Sequence, residues 1–205
     1  MRIRKKKHTS ERIDLCAEYF YKSEPQKKQP AVLEIGCGKG DFICETAQQF
    51  PDADFVAVEK ISDVIVAAME KAKSLNLSNV KFIVSDAKNL ADYFPSNSID
   101  TLYLNFSDPW HKRYQHNKRL TSPEFLGVYK KFMKPDAEII LKTDNTELFN
   151  YSLKTLPLNN FKITRKTYDL YASEFLDGNV QTEYEKKFVE QNIKICYLIA
   201  VLTAI

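Results

Sequence analysis

The sequence lacks the marks of several protein classes. Its four cysteines include no C-x-x-C pair and have no histidine at zinc-ligand spacing, which argues against a disulfide framework and a structural metal site. The longest uncharged apolar run, residues 195–205, is too short to cross a bilayer, and no cleavable signal pattern opens the chain. We therefore expect a cytoplasmic protein with reduced thiols, no membrane span and no metal.

The length and composition predict one globular domain with a small addition. The chain has 205 residues, of which 44% are hydrophobic and 28% charged, close to the average for globular proteins. Residues 22–30 are rich in lysine, glutamine and proline, which is typical of a linker. We predict a basic N-terminal extension with a short helix over residues 1–30 and a main domain over residues 31–205.

Positive charge is concentrated in two short segments. Residues 1–10 carry five lysines and arginines, residues 109–123 carry four, and neither segment has an acid. The rest of the chain is acidic on balance, although the net charge is +3. Concentrated basic segments are typical of proteins that bind a polyanion such as nucleic acid. The alternative is a solvated tail and an ordinary charged loop.

Short apolar runs alternate with segments of helical period, which predicts βαβ units and a mostly parallel sheet. Ser122-Pro123-Glu124 predicts a helix start with a serine hydroxyl as N-cap. A polar segment of about 25 residues joins the last two predicted strands, which makes it a candidate functional loop. The predicted strands are residues 31–35, 55–58, 81–84, 101–106, 138–141, 161–168 and 195–203.

A glycine-rich loop follows the first predicted strand. Gly36, Gly38 and Gly40 stand where the first helix opens, so the backbone can approach a ligand closely at the carboxyl end of the strand. A dinucleotide fingerprint places its third glycine one position later, where this chain has Asp41. The spacing therefore disfavours a dehydrogenase that transfers hydride.

Three acids stand at the ends of the first three predicted strands. Glu34 precedes the glycine loop and suits a ligand with an amino group and a sulfonium, both of which are positive. Glu59 is placed to accept hydrogen bonds from ribose hydroxyls, and Asp86 from an adenine amine. Any one of these acids could be a helix N-cap instead, but three at successive strand ends favour a nucleoside-like ligand.

The fourth predicted strand ends in N-F-S-D-P-W at residues 105–110 and leads into the basic loop, residues 111–119. Asp108 is followed by proline and tryptophan at the strand's carboxyl end, where a substrate base would be held and stacked.

This constellation resembles the class I S-adenosylmethionine-dependent methyltransferases, and more closely the bacterial tRNA (guanine-N7-)-methyltransferases. The motifs of the closer resemblance are residues 105–110, K-R-L-T at 118–121, K-T-D-N at 142–145 and T-E-Y-E at 182–185. The resemblance covers residues 31–205. It implies a Rossmann-like α/β fold, in which a seven-stranded, mostly parallel sheet has an antiparallel C-terminal edge and helices on both faces.

The same resemblance implies a function and the residues that perform it. The cofactor would be S-adenosylmethionine, the partner tRNA, and the reaction methylation of a variable-loop guanine at N7. Asp108 would be the central active-site acid and the catalytic residue. The implied cofactor contacts are Glu34, Gly36, Gly38, Glu59, Asp86 and Asp108; the substrate contacts are Lys112, Asp144, Thr182, Glu183, Tyr184 and Glu185; the RNA contacts are Arg113, Tyr114, His116, Lys118 and Arg119.

Several alternatives stay open at this point. Thr182 and Glu185 also have the spacing of a capping box, which is a purely structural motif. Asp108, Asp144 and Glu185 all compete to hold the guanine edge. The other candidate functions are a class I methyltransferase with another acceptor, an RNA-binding module without catalysis and a nucleotide-dependent oxidoreductase. The sequence leaves monomer and homodimer undecided.

Overall fold

A computed structural model describes residues 8–22 and 32–203. Its seven strands form one sheet in the order β3-β2-β1-β4-β5-β7-β6. The strands are β1 Val32–Ile35, β2 Phe55–Glu59, β3 Val80–Val84, β4 Ile99–Asn105, β5 Met133–Thr143, β6 Phe161–Thr167 and β7 Cys196–Leu202. The helices are α1 Thr9–Asp14, α2 Asp41–Gln49, α3 Ser62–Ser74, α4 Pro123–Tyr129, α5 Thr146–Thr155 and α6 Glu183–Glu190.

The predicted fold class is confirmed. Strands β1 to β5 run parallel, β7 is antiparallel to both of its neighbours, and β6 forms the edge of the sheet. All seven predicted strands are present, and β5 begins five residues earlier than its predicted start at residue 138. Within residues 8–22 and 32–203, no helix has the length and apolarity needed to span a membrane.

Helices cover both faces of the sheet. Alternate residues of each strand point to opposite sides, so apolar side chains on both faces need to be covered. Leu33, Leu102 and Leu141 belong to one buried cluster, which also contains side chains of α4 and α5. Ala57 and Phe82 belong to a second cluster with side chains of α2 and α3. Strands buried on both faces are nearly continuous apolar runs, which explains why the sequence pattern located them.

The segment of residues 8–22 packs on the sheet domain. Its short helix α1 lies within the predicted N-terminal extension, and Arg12 forms an ion pair with Glu70 of α3. Cys16 and Tyr19 are buried in the cluster that contains α3. The backbone amide of Tyr21 donates to the carbonyl of Phe82 at 3.0 Å, beside β3. The basic residues 1–7 and the predicted domain boundary after residue 30 lie outside the described residues.

Helix α4 begins at Pro123 as predicted, but the predicted hydroxyl cap is wrong. The Ser122 hydroxyl donates to the carbonyl oxygen of Asn117 at 3.0 Å and accepts nothing from the helix backbone. A turn of 3-10 helix over Arg113–Lys118 brings that carbonyl within reach. Ser122 therefore ties the basic loop to the start of α4.

We expect the Gly40→Ala variant to lose stability. Gly40 has φ +78°, and a methyl group there would lie 2.5 Å from Cβ of Ala68 on α3. The left-handed backbone and the clash together should cost about 2 kcal/mol or more of the free energy of unfolding, measured by urea denaturation. Gly127→Ala in α4 is the matched control, since its methyl group would meet no atom within 4 Å. The control should gain up to about 1 kcal/mol. Equal losses in the two variants would contradict this account of Gly40.

Candidate active site

The sheet topology creates a crevice at the carboxyl ends of β1 and β4. The strand order reverses between these two neighbours, so the chain leaves them in opposite directions, and open α/β sheets bind ligands at such a point. Glu34, Glu59 and Asp86 lie at or just after the ends of β1, β2 and β3. Asp108 follows β4 and Asp144 follows β5. The structure thus brings these five predicted residues to one edge of the sheet, while their individual roles stay predictions.

The glycine loop is open on the side away from the strands. Gly36 and Gly38 have φ values of +82° and +57°, and a methyl group on either would meet no atom within 4 Å. The amide of Gly36 donates to the carbonyl of Val58 at 2.7 Å, which holds the loop against β2. Glu59 accepts from the amides of Gly38 at 3.3 Å and Ile61 at 3.0 Å. A carboxylate has about four acceptor sites, so Glu59 keeps capacity for ligand hydroxyls.

Glu34 is a buried carboxyl group with one oxygen satisfied. Its Oε1 accepts from Nδ2 of Asn105 at 3.0 Å. Among the described residues, Oε2 of Glu34 and Oδ1 of Asn105 have no hydrogen-bond partner. Burial raises the pKa of Glu34 to about 7. Two neighbouring acceptors without donors fit a ligand that carries an ammonium group, which has donors only.

Asp86 has the structural role that we considered as an alternative. It is the N-cap of the 3-10 turn Ala87–Asp92, and its Oδ1 accepts from the amide of Lys88 at 3.0 Å. Its Oδ2 accepts from Nζ of Lys60 at 2.7 Å, and this bond lowers the pKa of Asp86. A cap and a ligand contact are compatible, because each carboxylate oxygen has two lone pairs.

The loop that carries Asp108 is strained. Phe106 and Trp110 have φ values of +49° and +45°, in the left-handed region that bulky residues rarely adopt. Each such residue costs on the order of 1–3 kcal/mol and persists only where its surroundings hold it. Between them, Asp108 is exposed and has no hydrogen bond or ion pair with the part of the chain that the structure describes.

The basic loop divides into exposed cations and one buried cation. Lys112, Arg113 and Lys118 are exposed, and Tyr114 is 75% exposed. Arg119 is only 1% exposed, and its guanidinium donates to carbonyl oxygens of the Asp108 loop and to a carboxylate of α5. The contact of Arg119 with RNA stays a prediction, and it would require the guanidinium to leave these hydrogen bonds.

His116, another predicted RNA contact, is partly enclosed. Its side chain is 27% exposed and its Nε2 lies 3.5 Å from a carboxylate oxygen of Glu147. Its ring packs edge-on against Tyr151 of α5 at 5.6 Å between centroids. His116 thus lies between the exposed cations and α5.

The long segment between β6 and β7 is fastened to the sheet by a buried ion pair. Nζ of Lys142, near the end of β5, lies 2.7 Å from Oε2 of Glu185, and these side chains are 2% and 0% exposed. Lys142 also donates to Oδ1 of Asn179 at 3.0 Å and to the carbonyl of Val180 at 2.8 Å. Because all three donors of the ammonium have acceptors, this pair meets the condition under which buried charge is tolerated.

Glu185 is equally well satisfied. It accepts from the hydroxyl of Tyr171 at 2.9 Å and from Nδ2 of Asn179 at 2.6 Å, while Thr182 and Glu185 close the capping box of α6. Contact of Thr182 or Glu185 with substrate stays a prediction, and it would require these bonds to open. Sequence reasoning missed Lys142 as the partner of Glu185, although a lysine at the end of an apolar strand and an acid in a capping box were both visible.

The first turn of α6 bridges the glycine loop and the Asp108 loop. Glu183 lies 3.6 Å from Nζ of Lys39 in the glycine loop. Tyr184 is 59% exposed, and its ring lies nearly parallel to that of Phe106 at 6.5 Å between centroids. Phe188 completes this aromatic group at 5.7 Å from Phe106. The ion pair at Glu185 therefore places an exposed aromatic ring beside the Asp108 loop.

A cavity of about 130 Å³ lies beneath the same segment, between α2 and the sheet. Phe42, Tyr103, Lys142, Phe175 and Tyr197 contribute to its lining. It includes no residue of the glycine loop and neither Asp108 nor Asp144, so it is separate from the crevice at the strand ends.

Taken together, the geometry suits a cationic, nucleoside-like ligand beside an exposed carboxylate. Glu34 and Asn105 offer unused acceptors, and Gly36 and Gly38 leave space above the backbone. Exposed aromatic and basic side chains follow directly along the chain from Asp108, a combination that binds nucleic acid.

Comparison with known proteins finds similar sequences over most of the chain. Residues 28–198 match a family described as "Putative methyltransferase". A tRNA (guanine-N(7)-)-methyltransferase of Mycoplasmopsis pulmonis is 42% identical over 190 residues, which are 92% of this chain and 93% of the relative. The tRNA (guanine-N(7)-)-methyltransferase of Lachnoclostridium phytofermentans is 40% identical over 171 residues, 83% of this chain and 80% of the relative.

Solved structures support the fold. A SAM-dependent methyltransferase from Aquifex aeolicus superposes with a TM-score of 0.59 at 18% identity, covering 97% of this chain and all of that one. Geranyl diphosphate C-methyltransferase from Streptomyces coelicolor, solved with S-adenosyl-L-homocysteine, has a TM-score of 0.58 at 14% identity. That alignment covers 95% of this chain and 78% of the other.

Replacing Glu34 by glutamine should stabilise the ligand-free protein in a pH-dependent way. A folded-state pKa of about 7 means that the stability from neutral Glu34 is complete below its ordinary pKa of 4.5 and is lost as pH rises through 7. Glutamine is neutral throughout and can still bond to Asn105. The advantage of the variant over the parent in free energy of unfolding should therefore grow by about 3 kcal/mol as the pH rises from about 5 to about 8. Urea denaturation at each pH measures it. If the difference in free energy of unfolding between variant and parent does not change with pH, the folded-state pKa of Glu34 is not raised.

The ion pair of Lys142 and Glu185 should show strong energetic coupling. Lys142→Met leaves a buried carboxylate unpaired and should cost about 3–5 kcal/mol of the free energy of unfolding. Adding Glu185→Gln removes the uncompensated charge, so the double variant should lose much less than the sum of the single losses. The pair of Glu183 and Lys187, 2.6 Å apart on the same helix with side chains 34% and 55% exposed, is the control and should couple far more weakly. Additive losses at the buried pair would contradict this view.

Proposed function

The chain belongs to the tRNA (guanine-N(7)-)-methyltransferase family, and from that membership we propose which residues carry each part of the reaction. The enzyme transfers a methyl group from S-adenosylmethionine to N7 of a guanine in tRNA, forming 7-methylguanosine. The observation that carries this function is the 37–42% identity with curated members over most of the chain. We place the target guanine in the variable loop, and the enzyme in the cytoplasm, where tRNA is found.

The carboxyl ends of β1, β2 and β3 form the cofactor site in this proposal. Glu34 and Asn105 accept from the cofactor's amino group, because their unpartnered oxygens need donors. Gly36 and Gly38 let the backbone pass beneath it, while Glu59 accepts from the ribose hydroxyls and Asp86 from the adenine amine. When bound, S-adenosylmethionine supplies an electrophilic methyl group on its sulfonium.

The protein's main task in the reaction is alignment. Guanine N7 has a free lone pair and no proton, so its attack requires no general base. Holding the base and the methyl donor in fixed positions turns a bimolecular encounter into an effectively unimolecular step. The exposed ring of Tyr184, beside Phe106, offers a surface on which the guanine can stack.

Asp108 is the residue that we assign to the developing charge. The guanine ring becomes cationic as N7 is methylated, and a carboxylate close to the ring favours that charge. Asp108 is available for this role because it has no partner within the described residues, whereas Glu185 is fully bonded. The same carboxylate can accept from guanine N1–H and its 2-amino group. Asp144, at the end of the neighbouring strand β5, is the competing candidate.

The exposed part of the basic loop binds tRNA in this proposal. Lys112, Arg113 and Lys118 offer charge to phosphates, and Tyr114 offers an exposed ring to an unpaired base. His116, whose side chain is 27% exposed, completes the set of RNA contacts in this proposal.

Incubating the purified protein with unmodified tRNA and methyl-labelled S-adenosylmethionine tests the function directly. Nucleoside analysis of the digested RNA should find the label in 7-methylguanosine. Label in another nucleoside would leave the fold assignment intact and overturn the base specificity. Transfer to a small molecule or protein but not to RNA would overturn the assignment of tRNA as substrate.

The Asp108→Asn variant tests the catalytic assignment. It removes the negative charge with little change in size, so kcat should fall at least about a hundredfold while the dissociation constant for S-adenosylmethionine changes far less. Asp144→Asn, measured in parallel, tests the competing candidate at the neighbouring strand end, and its kcat should fall much less. A large fall in kcat for Asp144→Asn with little change for Asp108→Asn would transfer the role to Asp144.

A further inference from the structure

Arg119 differs from every other cation of the basic loop in its surroundings. Lys112, Arg113 and Lys118 have exposed side chains, and the ammonium of Lys118 lies over the ring of Trp110 at 4.8 Å. Arg119 is 1% exposed and is the largest fully buried side chain among the described residues. A buried guanidinium is costly unless its donors are paired, so its contacts identify what it stabilises.

Those contacts lead directly to the turn after Asp108. Nε of Arg119 donates to the carbonyl oxygen of Pro109 at 2.7 Å, and Nη2 donates to that of Trp110 at 3.3 Å. These carbonyls belong to the two residues that follow Asp108 in the chain. Trp110 is itself one of the two residues held in the left-handed backbone region. The guanidinium thus bonds to the backbone at one of the two strained positions of the loop.

The other side of Arg119 is anchored in α5. Nη2 lies 2.5 Å from Oε1 of Glu147 in the first turn of that helix, and the guanidinium stacks over the ring of Tyr151 at 4.6 Å. The bond with Arg119 also lowers the pKa of Glu147. Because α5 follows Asp144 and its N-cap Asn145, Arg119 joins the loop after β4 to the loop after β5. Both candidate acids of the site lie on these two loops.

We propose that Arg119 is a positioning residue that holds the Asp108 loop in its working conformation, and that it does not bind RNA phosphate. This inference rests on the function proposed above for Asp108. The strained backbone at Phe106 and Trp110 persists only if surrounding groups hold it, and Arg119 supplies two hydrogen bonds at the Trp110 end. Its planar group of donors is needed for this task, since a lysine ammonium cannot reproduce its directions.

The sole tryptophan of the chain allows the loop to be observed without any assay of activity. Trp110 lies in the turn that Arg119 holds, so the access of acrylamide to its fluorescence reports on the order of the loop. We compare Arg119→Met with Arg113→Met, which makes the same chemical change at an exposed position of the same loop. Arg119→Lys and Glu147→Gln complete the set. Glu147 is half exposed, so its variant is expected to fold even if the Arg119 variants do not.

Arg119→Met should increase acrylamide quenching of Trp110 and lower kcat at least tenfold, with no change in the salt dependence of tRNA binding. Arg119→Lys should have the same defect despite its charge, and Glu147→Gln a weaker one. Arg113→Met should leave quenching as in the parent and reduce the slope of log affinity against log salt by about one. Thermal unfolding and S-adenosylmethionine binding identify variants that have lost the fold. If the Arg119 variants have lost it, the quenching and kcat of Glu147→Gln decide whether the inference holds.

The inference is overturned if Arg119→Met behaves like Arg113→Met, with unchanged quenching and a smaller salt slope. Rescue of kcat by Arg119→Lys would also overturn it, since that result would show that charge alone is needed. These outcomes are distinct from a failure of the proposed function. If the parent enzyme forms no 7-methylguanosine, the quenching comparison still tests whether Arg119 holds the loop.

Discussion

The buried ion pair between Lys142 and Glu185 is the interaction on which the arrangement of the site depends. Placing two charges in the interior is favourable only when every donor and acceptor is bonded, and here Asn179, Val180 and Tyr171 complete the set. That requirement fixes the segment between β6 and β7 against the end of β5. It thereby places the first turn of α6 across the glycine loop and brings Tyr184 beside Phe106.

The buried polar side chains are of two kinds. Some form their hydrogen bonds within the protein and are structural, whereas others keep an acceptor that a ligand can use. Glu185 accepts hydrogen bonds on both carboxylate oxygens, Arg119 donates from Nε and Nη2, and each side chain fixes a segment of the chain. Glu34 and Asn105, in contrast, each keep a buried acceptor without a donor. An unsatisfied buried acceptor is destabilising, so its presence at the crevice is a cost to stability that ligand binding can offset.

Sequence reasoning located most of the fold and predicted which residues meet at the carboxyl ends of the strands, for identifiable reasons. The strands were visible because their apolar runs are buried on both faces, and the glycine loop and the acids Glu34, Glu59 and Asp86 follow them at fixed places. Carboxyl ends of parallel strands meet at one edge, so these residues had to lie together. The basic loop was correctly located, but its cations were treated as equivalent. Burial of Arg119 depends on α5, which is distant along the chain.

The sequence by itself determined the strands and their order along the chain, the glycine loop, the acids at the strand ends and the family to which the chain belongs, because these depend on local pattern. Tertiary structure alone decided which charged side chains became internal. Arg119 is buried because Glu147 and Tyr151 meet it from α5, and Glu185 because Lys142 meets it from β5. Periodicity and spacing describe neighbours along the chain, whereas the burial of a charge is set by partners that only folding brings close.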